Sequence, residues 1–169
     1  MKKSLRNRGF TLIEILVVIG IIAILAAIVL VAINPARHFR EASNTQRSSN
    51  VNAILNAVGQ FIVANKGELP DDLDSAVDDI KDDGDSTDDA NEADICDQLV
   101  PEYIPALPAD PTLDDQALSE DDCADAADVY DTGYTIELDG NRVIVCAPET
   151  VDVDTGAVVA AADQICVTR

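Results

Sequence analysis

The sequence predicts an α+β chain: a long amino-terminal α-helix, kinked near Pro35, whose carboxyl-terminal half packs on a small antiparallel β-sheet. Three observations point there. From Ile15 to Ile33 all 19 residues are apolar or glycine. Beyond them, Phe39, Ala42, Val51, Ile54, Leu55, Val58, Phe61 and Ile62 recur at spacings of three and four among Asn, Gln, Ser and Arg, the pattern of one apolar stripe on a polar helix. In the last third, the alternating run Gly133 to Leu138 meets the turn Asp139-Gly140-Asn141 and returns as Arg142 to Cys146, a hairpin signature.

The first element is a membrane-length helix. The 24 residues from Phe10 to Ile33 cover about 36 Å as a helix, enough to cross a hydrocarbon core of roughly 30 Å. Glu14 lies four residues inside this run, where an unpaired carboxylate is costly in lipid or protein interior and calls for a cationic partner. The preceding residues carry Lys2, Lys3, Arg6 and Arg8 and stop at Gly9, directly before Phe10. Cleavage after Gly9 would start the chain at FTLIE, with a free α-amino group on Phe10 one helical turn before Glu14. That amine can meet the carboxylate within one helix or between staggered copies. A secretory signal would have a shorter apolar core and a small-x-small cleavage site. A plain single-pass anchor fits the length and leaves Glu14 unexplained.

The stretch RGFTLIEILVVIGIIAIL closely resembles the processing site and amino-terminal segment of type IV pilins and of the pseudopilins of type II secretion systems. The close match covers residues 6–34. The resemblance implies a pilin fold and cleavage by a prepilin peptidase after Gly9. It further implies methylation of the new terminus at Phe10 and a role for Glu14 in assembly. The partners it implies are further copies of the same chain, the peptidase, a pilus or secretion assembly machinery, and the membrane before assembly. The implied location is the cytoplasmic membrane, head outside, and then an extracellular pilus. On that basis residues 1–9 are a leader, 10–34 a transmembrane or filament-core helix half, 35–67 an amphipathic helix half, and 68–169 an acidic head with disulfides.

Charge separates stem from head. Residues 1–70 hold 8 Lys and Arg against 3 Asp and Glu, whereas residues 71–169 hold 3 against 29, a balance of −26. A head of that sign is not expected to bind nucleic acid, because phosphate binding relies on Lys and Arg. Four basic residues precede the span and Arg37, Arg40 and Arg47 follow it, so the positive-inside bias is slight.

Asn34-Pro35 follows the span, and a proline within a helix removes one backbone hydrogen bond. A kink or local loosening is expected there, within a helix running from Phe10 to about Lys66, roughly 85 Å if unbroken. Asn65, Lys66, Gly67 and Pro70 form the stop signal. Residues 71–94 are acid-rich and read as a solvated, mobile loop whose like charges repel. An EF-hand template with Gly84 at its sixth position is broken by Lys81 and Ala90. A calcium site of another geometry is the alternative, since some pseudopilins bind calcium in the head; no other cofactor is expected. From Ile95 the chain becomes globular. Its prolines at 101, 105, 108 and 111 fix an extended, turn-rich path. This run resembles the loop before the sheet in pilin heads, but Thr112-Leu113 follows Asp110-Pro111 where secretion pseudopilins often continue Trp-Gly, and the chain has no Trp. A last strand is expected near 164–168.

Cys96, Cys123, Cys146 and Cys166 all lie in the acidic head. Outside the membrane disulfides persist, and four cysteines permit three pairings. The preferred pairing joins Cys96 to Cys123, closing the proline-rich loop, and Cys146 to Cys166, joining two strands. Zinc is disfavoured: no CxxC spacing occurs, and the one histidine, His38, is distant in sequence and reads as a surface residue. With a single His, no Ser-His-Asp or Cys-His arrangement can form in the head, and no phosphate-binding glycine loop appears, so no enzyme is expected. Three functions fit these residues: a major or minor pilin of a type IV pilus-like filament, a pseudopilin of type II secretion or DNA uptake, and a membrane-anchored cation-binding module that never polymerises.

Overall fold

A computed structural model describes residues 10–70, 73, 75–82, 92–113, 117–124 and 129–169, with Val31 and Ala32 described by backbone alone. The chain forms two compact units, Met1–His38 and Phe39–Arg169.

The first unit is dominated by α1 (Leu12–Ile33), and α2 (Pro35–Ala64) begins within it. The stretch Leu12–Leu30 has a mean hydropathy of 3.2 and none of it is buried. An exposed apolar surface of this extent marks a membrane or protein interaction face. The loosening expected at Pro35 takes the form of a one-residue interruption. Asn34 adopts a left-handed conformation (φ 44°) as the cap of α1. Pro35 then opens α2, where its missing N–H costs nothing. The proline also disfavours helix at the residue before it, and Asn tolerates the left-handed region better than most residues.

In the second unit, α2 buries Arg47, Val51, Ile54, Leu55, Ala57 and Val58. Full burial of Val51, Ile54 and Val58 contributes about 1.5–3 kcal/mol per side chain. The stripe starts later than its apolar residues suggest, because Phe39 is 74% exposed and Arg47, a cation, holds the first buried position. The helix ends in a Schellman motif: the Gly67 N–H donates to the Ile62 carbonyl at 2.8 Å, with Lys66 and Gly67 both at positive φ.

The sheet is an antiparallel meander in the order β1 (Val77–Asp82), β2 (Tyr130–Asp139), β3 (Arg142–Ala147), β4 (Ile165–Thr168). The β2–β3 hairpin pairs Asp139 with Arg142 across Gly140-Asn141, with Gly140 at φ 64° as the tight turn requires. Val143, Val145, Tyr134 and Ile136 face inward and share one core with Val51, Ile54, Leu55 and Val58 of α2.

The acid-rich segment departs from expectation. Residues 77–82, read from sequence as part of a mobile loop, form the edge strand β1; residues 71, 72, 74 and 83–91 of the same run lie outside the described residues. Ile80 is fully buried, and its parity turns Asp78 inward and leaves Val77 outside, the reverse of what the apolar valine would choose. A bulge opposite Ile80 makes room: the register shifts between Asp79 and Lys81, Gly133 takes φ 70°, and the Thr132 hydroxyl donates to the Ile80 carbonyl at 2.8 Å.

Candidate functional site

Thr11 has extended backbone (φ −86°, ψ 151°) and caps α1. Its hydroxyl oxygen accepts from the Glu14 N–H at 3.3 Å, while its N–H and its O–H both donate to Glu14 Oε2 at 2.7 Å. This is a reciprocal capping box of the form Thr-x-x-Glu, which satisfies donors that helix geometry leaves without internal partners. Glu14 Oε1 makes no hydrogen bond with a described residue. The carboxylate anticipated to need a partner is therefore held on one oxygen by its own helix terminus, and its other oxygen is available. Reading Glu14 only as a charge overlooks Thr11, although the spacing T-L-I-E carries the signal.

Phe10 is 84% exposed beside this cap. Gly9 and the rest of the leader lie outside the described residues. Along α1, Gly20 leaves open space where a Cβ would sit, a notch for a neighbouring helix.

The cysteines form two disulfides, Cys96–Cys123 and Cys146–Cys166. The first ties α3 (Cys96–Leu99) to α4 (Glu120–Ala124), and the second spans β3 and β4 at directly opposed positions. They are structural staples with no free thiol among the described residues. His38 is exposed. Among the described residues no group of three or more His, Cys, Asp or Glu side chains could hold a metal ion.

A second polar constellation, unsuspected from sequence, fixes the proline-rich loop on α2. Arg47 grips Asp110 through two contacts, Nε to Oδ2 at 2.6 Å and Nη2 to Oδ1 at 2.9 Å, with both side chains buried. Thr112 donates its N–H to Asp110 Oδ1 at 2.9 Å, and its hydroxyl donates to the same oxygen at 2.5 Å. Burial pushes the Asp110 carboxyl up, but the Arg47 and Thr112 hydrogen bonds outweigh it and hold the group below its ordinary range. Beside it, Asn50 donates to the Tyr134 hydroxyl at 2.8 Å, and burial pushes that phenol up to about 12. Asn44 clamps the chain near Val151, donating to its carbonyl at 2.6 Å and accepting its N–H at 3.2 Å. The constellation positions backbone, through bonds to Ala109, Thr112 and Val151.

Comparison with known proteins bears on the amino-terminal segment. A family model, the prokaryotic N-terminal methylation motif, matches residues 4–30. No curated protein and no solved structure matches the chain. The matched residues take in Arg6 and Arg8, Gly9, Phe10, the Thr11–Glu14 cap and most of α1. The chain thus carries a type IV pilin-like prepilin signal, ahead of a fully exposed apolar helix and a small antiparallel head.

Proposed function

We propose that this chain is a structural subunit, a major or minor pilin, of a type IV pilus-like filament, cleaved after Gly9, methylated at Phe10 and assembled by packing of its α1 helices. The observation that carries this reading is the coincidence of the methylation motif with a helix whose described apolar surface is entirely unburied. A helix of that kind needs lipid around it before assembly and other copies around it afterwards.

The cap gives Glu14 two successive states. While the subunit is stored in the membrane, Thr11 satisfies Oε2 and the helix terminus favours the negative charge. In the filament, Oε1 accepts the Phe10 amine of a neighbouring copy, and this ion pair sets the axial stagger. Mutation tests the charge apart from the cap. Glu14→Gln keeps a side chain that can complete a capping box and loses the charge, whereas Glu14→Ala loses both. Both variants are expected to be processed and inserted but to give no filaments by electron microscopy. Normal filament yield from Glu14→Gln would remove the charge-pairing step. The broader reading is tested by mass spectrometry of the mature terminus: methylated Phe10 is expected, and a working form that still begins at Met1 would overturn it.

A further inference from the structure

The two disulfides differ in access. Cys96 is fully buried and Cys123 half-buried, whereas Cys146 is half-buried and Cys166 exposed. Charge widens the difference. Asp94 and Asp97 stand within two residues of Cys96, and Glu120, Asp121 and Asp122 lead directly into Cys123. A thiolate, the attacking species in disulfide exchange, is repelled by such surroundings. Around Cys146 and Cys166 the nearest neighbours on the same face of the sheet, Thr135, Ile144 and Thr168, are uncharged.

The strands joined by the second bridge are also unequal. β3 is paired on both sides, while β4 is an edge strand of four residues paired with β3 alone. The Val143 N–H donates to the Arg169 carbonyl at 3.1 Å, and the Arg169 N–H donates to the Val143 carbonyl at 3.0 Å. Antiparallel alternation then turns Val145 toward Val167 in the same way and turns Ile144 and Cys146 toward β2. Cys146 and Cys166 therefore oppose each other, 4.1 Å apart at Cα, at a position where no backbone hydrogen bond joins β3 to β4. Beneath the strand, Ile165 and Val167 are half-buried against the core, and at its end Arg169 Nη1 donates to Asn56 Oδ1 at 3.0 Å.

We propose that Cys146–Cys166 is a redox latch on β4, opened by a dithiol reductant, while Cys96–Cys123 stays shut. In the opening step a thiolate of the reductant attacks Sγ of Cys166, the exposed sulfur. A mixed disulfide forms, the Sγ–Sγ bond breaks, and Cys146 leaves as a thiolate that takes up a proton. The second thiolate of the reductant attacks the reductant's own sulfur in the mixed disulfide and displaces Cys166, which is protonated in turn. The reductant departs as a disulfide, having given two electrons and two protons to the cystine. β4 is then held by its short ladder, two half-buried side chains and the Arg169 tether. Its release opens the N–H and C=O groups of Val143 and Val145 along the new sheet edge. The inference rests on the second unit alone and is independent of the filament reading.

The test exposes the full-length chain in detergent micelles to dithiothreitol for graded times, quenches with N-ethylmaleimide and maps the label by mass spectrometry. Cys146 and Cys166 are expected to be labelled about tenfold sooner than Cys96 and Cys123. With glutathione, a monothiol, the first adduct is expected on Cys166. Hydrogen exchange on the singly reduced chain is expected to show the Val143, Val145, Val167 and Arg169 amides losing protection while Ile144, Cys146 and β2 keep theirs. The double variant Cys146→Ser with Cys166→Ser should show the same pattern without reductant. Opening of Cys96–Cys123 first or at an equal rate, a first adduct on Cys146, β4 amides that stay protected, or loss spread over the whole second unit would each overturn the proposal.

Discussion

At the scale of single residues, the most consequential feature outside α1 is a cation in the core. Arg47 occupies the first buried position of α2, one turn before Val51, and its cost is offset because Asp110 meets it with two hydrogen bonds and Asn44 accepts a third. Arg47→Ala would strand the Asp110 charge in the interior and is expected to cost about 3–5 kcal/mol, whereas the double change Arg47→Met with Asp110→Leu should be near neutral. Urea unfolding of the two variants checks this, and equal losses would refute it. The same pair predicts a pH dependence. The Asp110 carboxyl is held below its ordinary value of 3.8, so its contribution is complete above that value and is lost as pH falls through the lower folded one. Asp94 acts in the opposite sense. Burial raises its carboxyl despite a 2.8 Å hydrogen bond from Tyr130, so its contribution declines as pH rises through the raised value. Thermal melts from pH 2 to 7 should show an acid limb that is shallower in the double Arg47 and Asp110 variant.

At the scale of elements, one feature is set by local chemistry and another by tertiary demand. Asn34 interrupts the helix because Pro35 removes a hydrogen bond and restricts its predecessor, so α1 and α2 meet at one left-handed residue. In β1, five of the six positions are charged or outward-facing, and the strand exists because Ile80 finds the core and the Thr132 hydroxyl satisfies the carbonyl at the bulge. Its acids also discourage pairing with a foreign strand at this edge. Ile80→Ala is expected to destabilise the head by about 2–5 kcal/mol and to release β1 first. Hydrogen exchange should then show Asp78, Asp79 and Lys81 amides losing protection while the β2–β3 hairpin retains it; uniform loss would argue against independent release.

At the scale of the whole molecule, a head with few aromatics and a charge of −26 over residues 71–169 is held by a small core and two staples. Cys96–Cys123 and Cys146–Cys166 close loops of similar sequence separation, 27 and 20 residues. Removing either should cost about 2–4 kcal/mol, mainly by freeing the unfolded chain. Self-repulsion of the acids adds to that loss at low ionic strength and is screened by salt. Variants with each pair replaced by alanine should therefore melt lower than the parent, with the deficit shrinking as sodium chloride is raised from 10 mM to 1 M. A deficit that salt leaves unchanged would exclude repulsion as a contributor.

How much of this was legible without coordinates follows from the range of the forces involved. The membrane-length helix, the loosening at Pro35 and the hairpin turn at Gly140 are written in local pattern, because hydrophobic periodicity, proline geometry and turn chemistry act over a few residues. The Thr11–Glu14 box was equally local and could have been read from its spacing. The rest required distant residues to meet. Asp110 lies 63 residues from Arg47, and Arg169 lies 113 from Asn56. The strand parity at Ile80 depends on a bulge more than 50 residues away, and four cysteines allowed three pairings until the fold brought two pairs together. Sequence determined the long helical segments, the hairpin, the last strand and which surface is apolar; only tertiary packing decided that the acidic residues 77–82 form a strand and which buried charges are matched, because both depend on where the backbone returns.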